Sequence, residues 1–170
     1  MLICLNKNLY LDDVIAVMRE KLDRGGTVTF TPMGNSMYPM LRDGEDTVIL
    51  SKPKGRLKLF DIPLYKRSDG SYILHRIVDF DINGDYIMCG DNQFALERGI
   101  KDENIIAVVT AFYRKGKPYT ENSPSYRLYI NFWYYTRHIR HIFSALKNRA
   151  VKSLGIRGKK KGNKNEEKSE

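Results

Sequence analysis

The hydrophobic period of this chain changes near residue 26, and that change constrains the fold more than any other feature. Leu11, Val14, Ile15, Met18 and Leu22 recur every three or four residues, which places them on one face of a helix. Asp12 and Asp13 open the segment, where carboxylates suit the positive end of the helix dipole. Gly25-Gly26 closes it. The spacing predicts an amphipathic helix over 12–24, inside an N-terminal segment 1–26. From Thr27 onward the period is two. Residues 27–31 alternate, 46–51 carry Val48-Ile49-Leu50, and 61–66 contain Pro63, a residue that suits an edge or a bulge. Residues 71–80 read as one long strand. Asn83-Gly84 is a hairpin signal leading into a strand at 86–89, and 105–113 is the last strand, closed by Lys115-Gly116-Lys117-Pro118. Short strands with turns between them predict a small β domain over 27–119, a barrel or paired sheets. After a linker at 119–125, residues 126–154 return to a helical pattern. Residues 155–170 are mostly Lys, Gly, Asn and Glu, the composition of a disordered tail. The expected fold is mainly β with a helix at each end.

Composition narrows the function. Hydrophobic residues make up 42% of the 170, enough for a core. No apolar run approaches the roughly 18 residues that a membrane span requires. Cys4 and Cys89 stand far apart, which disfavours a disulfide framework or a zinc cluster. The first residues lack a basic n-region and a long apolar h-region, so a cytoplasmic location without signal peptide is expected. No cofactor and no metal is expected. His138 and His141 are three residues apart but have no Cys or acid nearby. The net charge of +9 is concentrated: residues 137–161 hold nine Lys or Arg and no acid, whereas 1–136 hold eighteen basic and seventeen acidic residues. A nearly neutral main domain argues against nucleic acid as a partner, and a basic appendage argues for an anionic surface.

Three segments place reactive groups among apolar or turn residues. Gly34-Asn35-Ser36-Met37-Tyr38-Pro39-Met40 is a tight loop that could expose a serine nucleophile beside backbone N–H donors; it also fits an ordinary turn. In Leu74-His75-Arg76-Ile77-Val78, alternation puts Ile73, His75 and Ile77 on one face. His75 is the only histidine before residue 138, so a base for Ser36 is this residue or one from the C-terminal region. A strand histidine also serves as a core residue. Gly90-Asp91-Asn92 follows a strand and reads as a turn or as the source of an acid that orients His75.

In this order the segments resemble the signal peptidase I family of serine endopeptidases, which is related to the self-cleaving LexA-like peptidases. The resemblance covers about residues 27–110 and rests on the Ser36 loop followed by Asp43-Gly44, on residues 55–65 around Asp61-Ile62, on Leu74 to Val78, and on Gly90-Asp91-Asn92. It implies an all-β catalytic domain that cleaves a precursor peptide or protein after small residues. The position of His75 is similar to the base of the archaeal, endoplasmic-reticulum and sporulation-type signal peptidases rather than to a lysine base. The resemblance then implies Ser36 as nucleophile, His75 as general base, Asp91 as the carboxylate and Glu97 as a second acid supporting the wall of the site through Arg98 or Arg76. The Ser36 N–H would hold the oxyanion, and Gly34 stands where many relatives add a serine hydroxyl. The family's membrane anchor before the serine has no counterpart here. Two other readings share this fold: a regulatory or binding module without turnover, and a LexA-like self-cleaving switch. A histidine base with an ordinary pKa of about 6.5 predicts activity rising through roughly pH 6–7.

Tyr126, Tyr129, Phe132, Trp133, Tyr134 and Tyr135 crowd ten residues. Beyond them, basic residues alternate with Ile139, Ile142, Phe143, Leu146 and Val151. An aromatic, basic, amphipathic helix over 126–154 suits an anionic membrane interface reached through residues 126–161, and the aromatics equally suit packing on the β domain.

Overall fold

The structure is a computed structural model that describes residues 9–120, 123–136, 139, 140, 142 and 146. Helix α1 spans Leu9–Asp23, starting slightly earlier than the apolar spacing predicts. Ile15 and Leu22 are buried, Met18 is half-buried, and Val17 is exposed. The helix ends as Gly25, at φ 78°, donates its N–H to the Leu22 carbonyl.

The β domain holds nine strands: β1 Val28–Phe30, β2 Thr47–Ser51, β3 Pro63–Lys66, β4 Tyr72–Leu74, β5 Arg76–Phe80, β6 Tyr86–Cys89, β7 Glu97–Ile100, β8 Ile105–Arg114 and β9 Lys117–Thr120. They form two antiparallel sheets. In the larger, the order is β1-β2-β8-β3-β4, with β9 also paired to β8. The smaller is β5-β6-β7. Alternation works as expected in β2, where Val48 and Leu50 point into the core.

The strand expected over 71–80 is two strands, and this break positions the site. Residues 72–74 pair with β3 in the large sheet, whereas Arg76 onward pairs with β6 in the small sheet. His75 is the joint where the chain leaves one sheet for the other. Beyond it, Ile77 exchanges backbone hydrogen bonds with the 60–61 loop: its N–H donates to Asp61 and its carbonyl accepts from Phe60, both at 2.9 Å. Ile73 and Ile77 reach the same apolar cluster, with Tyr65, Tyr86, Met88 and Ile100.

Two further segments differ from expectation. Residues 97–100, which carry no strand signal in the sequence, form β7. Lys115-Gly116 does not close the last strand but is a two-residue turn at φ 50° and φ 73° that returns the chain as β9. Two positive φ angles mark the turn type that matches strand twist, and lysine at the first of them gives no sequence signal.

Helix α2 spans Pro124–Tyr135. Tyr126 and Ile130 are buried in the main core with Ile15, Leu22, Met37, Met40 and Phe112. Tyr129, Trp133 and Tyr134 are half-buried, while Leu128, Phe132 and Tyr135 are exposed. The aromatic segment is thus docked along one face of the helix and open to solvent along another. Residues 136–170 form a separate unit; of its described residues, Ile139, Ile142 and Leu146 are exposed. The expected tail at 155–170, His138 and His141 lie outside the described residues. No helix among the described residues is long and apolar enough to cross a membrane.

Candidate active site

The Ser36 loop is held from below by apolar anchors. Met37, Met40 and Leu41 are buried in the main core, and Ser36 between the anchored residues and solvent is half-buried. Gly34, at φ 102°, takes a backbone conformation that a side chain would strain, and its N–H donates to Asp43 Oδ1 at 2.7 Å. Gly34 and Asp43-Gly44 therefore belong to one closed loop; the Gly44 N–H also donates to the Pro32 carbonyl.

Each residue of Gly90-Asp91-Asn92 has a different task. Asn92 ties the turn to the serine loop: its N–H donates to the Ser36 carbonyl at 2.8 Å and its Nδ2 to the Asn35 carbonyl at 3.1 Å. Gly90 allows the close approach. A Cβ on Gly90 would lie 2.6 Å from the Ser36 carbonyl oxygen and 3.2 Å from His75 Nε2. The Ser36 carbonyl, the imidazole Nε2 and Gln93 Oε1, itself 3.2 Å from that position, thus surround the point that glycine leaves free. Sequence reasoning treated Gly90 as part of a turn; its tertiary contacts make it the meeting place of the two reactive segments.

Asp91 faces Arg76. Its Oδ1 and Oδ2 accept from Arg76 Nε and Nη2, each at 2.8 Å, and Oδ2 also accepts from the Tyr129 hydroxyl at 3.1 Å. The Asp91 carbonyl accepts from the Trp133 indole at 2.7 Å. Arg76 is itself a hub: it donates to the Phe60 carbonyl, the Tyr126 hydroxyl and Met40 Sδ. Both side chains of the pair are almost completely buried. The pair joins the turn, the serine loop and α2. Asp91 was expected to receive the His75 N–H; its carboxylate accepts from Arg76 and Tyr129.

The ring of His75 hydrogen-bonds elsewhere. Nδ1 lies 3.3 Å from the Tyr65 hydroxyl, which donates to Glu97 Oε2 at 2.8 Å. Glu97 is gripped by Arg67 through two hydrogen bonds, of 2.7 and 2.5 Å. Glu97 works through Tyr65 and Arg67, not through Arg98 or Arg76. Neither Tyr65 nor Arg67 was singled out by the sequence. The one available hint is their position in β3 and just beyond it, paired with the strand that leads to His75. Lys66, next to Tyr65 in β3, pairs with Asp12 at 3.1 Å.

Electrostatics follow from this geometry. His75 is 3% exposed, and burial, aided by the Arg67 charge, lowers its pKa to about 4. At neutrality the ring is therefore an uncharged acceptor, as a general base requires. Burial opposes the Glu97 charge, but Arg67 and the Tyr65 hydroxyl outweigh it and hold the carboxyl below its usual range. Burial and Glu97 together raise the pKa of Tyr65, so its proton stays on. Among the described residues no three His, Cys, Asp or Glu side chains gather as metal ligands would.

A scan of protein-family models finds no match to this chain, and no curated protein matches it.

Proposed function

We propose that this protein is a Ser–His hydrolase of peptide bonds, acting as a signal peptidase-type endopeptidase on a precursor peptide or protein. The supporting observation is the convergence of the Ser36 backbone and His75 Nε2 on Gly90, with the ring neutral and its far nitrogen held. In this reading His75 Nε2 takes the proton of Ser36 Oγ as the oxygen adds to the scissile carbonyl. Backbone N–H groups of the loop, that of Ser36 among them, receive the negative charge on the carbonyl oxygen. The imidazolium then gives its proton to the leaving amine as the C–N bond breaks. Water enters by the same route in reverse, leaving a free carboxylate and a regenerated serine. No metal or cofactor is called for. Cleavage after small residues is carried over from the family resemblance.

The site of action in this reading is an anionic membrane surface. Leu128, Phe132 and Tyr135 form an exposed apolar set on α2, and the nine cations of residues 137–161 follow it in sequence. Partners are the precursor and the lipid surface, with no nucleic acid.

The test is a peptide library incubated with the full chain and read by mass spectrometry. The expected result is cleavage after small residues that disappears in Ser36→Ala and in His75→Ala, with both variants folded. Cleavage that survives in Ser36→Ala refutes the serine mechanism.

A further inference from the structure

We propose that Tyr65 fixes the ring proton of His75 on Nδ1, with Glu97 and Arg67 acting through it as positioning residues. The argument is one of hydrogen-bond polarity. An ionised carboxylate only accepts, and a phenol has one proton to give. Glu97 is ionised, since Arg67 donates to both of its oxygens. The single proton of Tyr65 therefore points at Glu97 Oε2, 2.8 Å away. What the hydroxyl oxygen presents to His75 Nδ1, 3.3 Å away, is a lone pair. For that contact to be a hydrogen bond, Nδ1 must carry the hydrogen. Nε2 then holds the ring's lone pair, and Nε2 is the nitrogen beside Gly90 and the Ser36 backbone.

The chain of donors thus runs from Arg67 to Glu97, and from His75 through Tyr65 to the same carboxylate. It occupies the place an aspartate takes in a Ser-His-Asp site, with a phenol inserted between acid and imidazole. The carboxylate of Asp91 is engaged by Arg76 and Tyr129, and it is the Tyr65 hydroxyl that lies at Nδ1. A contact of 3.3 Å is at the long end for a hydrogen bond. It gains strength when the ring becomes a cation on taking the serine proton, because a charged donor binds more strongly than a neutral one. Tyr65 is suited to hold still: it is completely buried in the apolar cluster between the sheets.

This assignment rests on the reading of His75 as the base of Ser36, but its test does not depend on turnover. The full chain contains three histidines, so two-bond nitrogen–proton correlation spectra of the nitrogen-15-labelled protein near neutrality resolve their tautomers. The expected spectrum for His75 shows a protonated Nδ1 and a bare Nε2. In Tyr65→Phe the Nδ1–H loses its acceptor and the Nε2–H form becomes a substantial fraction. In Glu97→Ala the freed hydroxyl turns to donate to Nδ1, which moves the hydrogen to Nε2. Both variants should lose peptide cleavage by about tenfold or more through kcat rather than KM. A wild-type ring protonated on Nε2 overturns the proposal, and so does a tautomer unchanged in whichever of the two variants folds. If the tautomer behaves as expected while Ser36→Ala still cleaves peptides, the protease reading fails and this one stands.

Discussion

Replacing Asp91 with asparagine separates two roles that the primary structure leaves merged. The Arg76–Asp91 pair is buried, with side chains 5% and 3% exposed and two hydrogen bonds of 2.8 Å. Asp91→Asn keeps the shape and one acceptor but strands the guanidinium charge among Met40, Tyr126 and the Phe60 carbonyl. Breaking a buried pair at one partner costs about 3–5 kcal/mol, and the retained acceptor favours the lower half of that range. Against a total stability of about 5–15 kcal/mol, this is a large loss. For a domain of this size it lowers Tm by roughly 10 °C. The assay is urea unfolding followed by the fluorescence of Trp133, the single tryptophan, whose indole donates to the Asp91 carbonyl. Combining Asp91→Asn with Arg76→Met should restore part of the loss, because the stranded charge is gone. Cleavage per folded molecule should fall less in Asp91→Asn than in Glu97→Ala, the reverse of what a Ser-His-Asp site implies. A stability change below about 1 kcal/mol, the range of an exposed pair, refutes the structural role of Asp91.

Four other outcomes follow from the structure. In Gly90→Ala the new Cβ meets the Ser36 carbonyl at 2.6 Å, so the serine loop must shift; a displacement near 1 Å costs roughly a hundredfold in turnover, read as lost peptide cleavage in a protein that still unfolds cooperatively. Because burial lowers the His75 pKa to about 4, cleavage should remain on its plateau well below pH 6 and fall only toward about pH 4, rather than through the pH 6–7 expected of an ordinary histidine; a midpoint near 6.5 contradicts the burial argument. The same shift means that the unfolded chain binds a proton at His75 that the folded one refuses, so stability is complete above about pH 6.5 and declines toward pH 4 by about 3 kcal/mol at most, measurable by urea unfolding across that range. Finally, Leu128→Ser with Phe132→Ser should weaken co-sedimentation of the full chain with phosphatidylserine-containing vesicles at low salt, while cleavage of a soluble peptide is unchanged; equal binding of the variant excludes this face of α2 as the contact.

How far the fold was legible depends on the range of the physical cause. Helix α1 and strand β2 follow from local periodicity, because burying one face sorts residues by their spacing along the chain. The mainly β class, the helix at each end and the Ser36 loop were readable for that reason. The break at His75 was not. Residues 71–80 contain no glycine or proline to mark a break, and only the competition between two sheets for that segment makes His75 a joint. The β9 hairpin stayed hidden because a lysine at positive φ is tolerated for its tertiary pairing, not preferred locally.

The amino-acid order also decided which groups are available for chemistry: a serine in a glycine–proline loop, a single histidine before the C-terminal region, and a Gly-Asp-Asn turn. Which of them touch was settled by strand pairing over long separations. Tyr65 and Glu97 stand 32 residues apart in the chain and meet at 2.8 Å, and Arg76 rather than His75 claims Asp91. The pKa of His75 belongs to the same level, since it departs from that of a free imidazole only when the sheets and Arg67 close around it. Periodicity acts between neighbours in sequence; desolvation and hydrogen-bond partnership act between neighbours in space, and those exist only once the chain has folded.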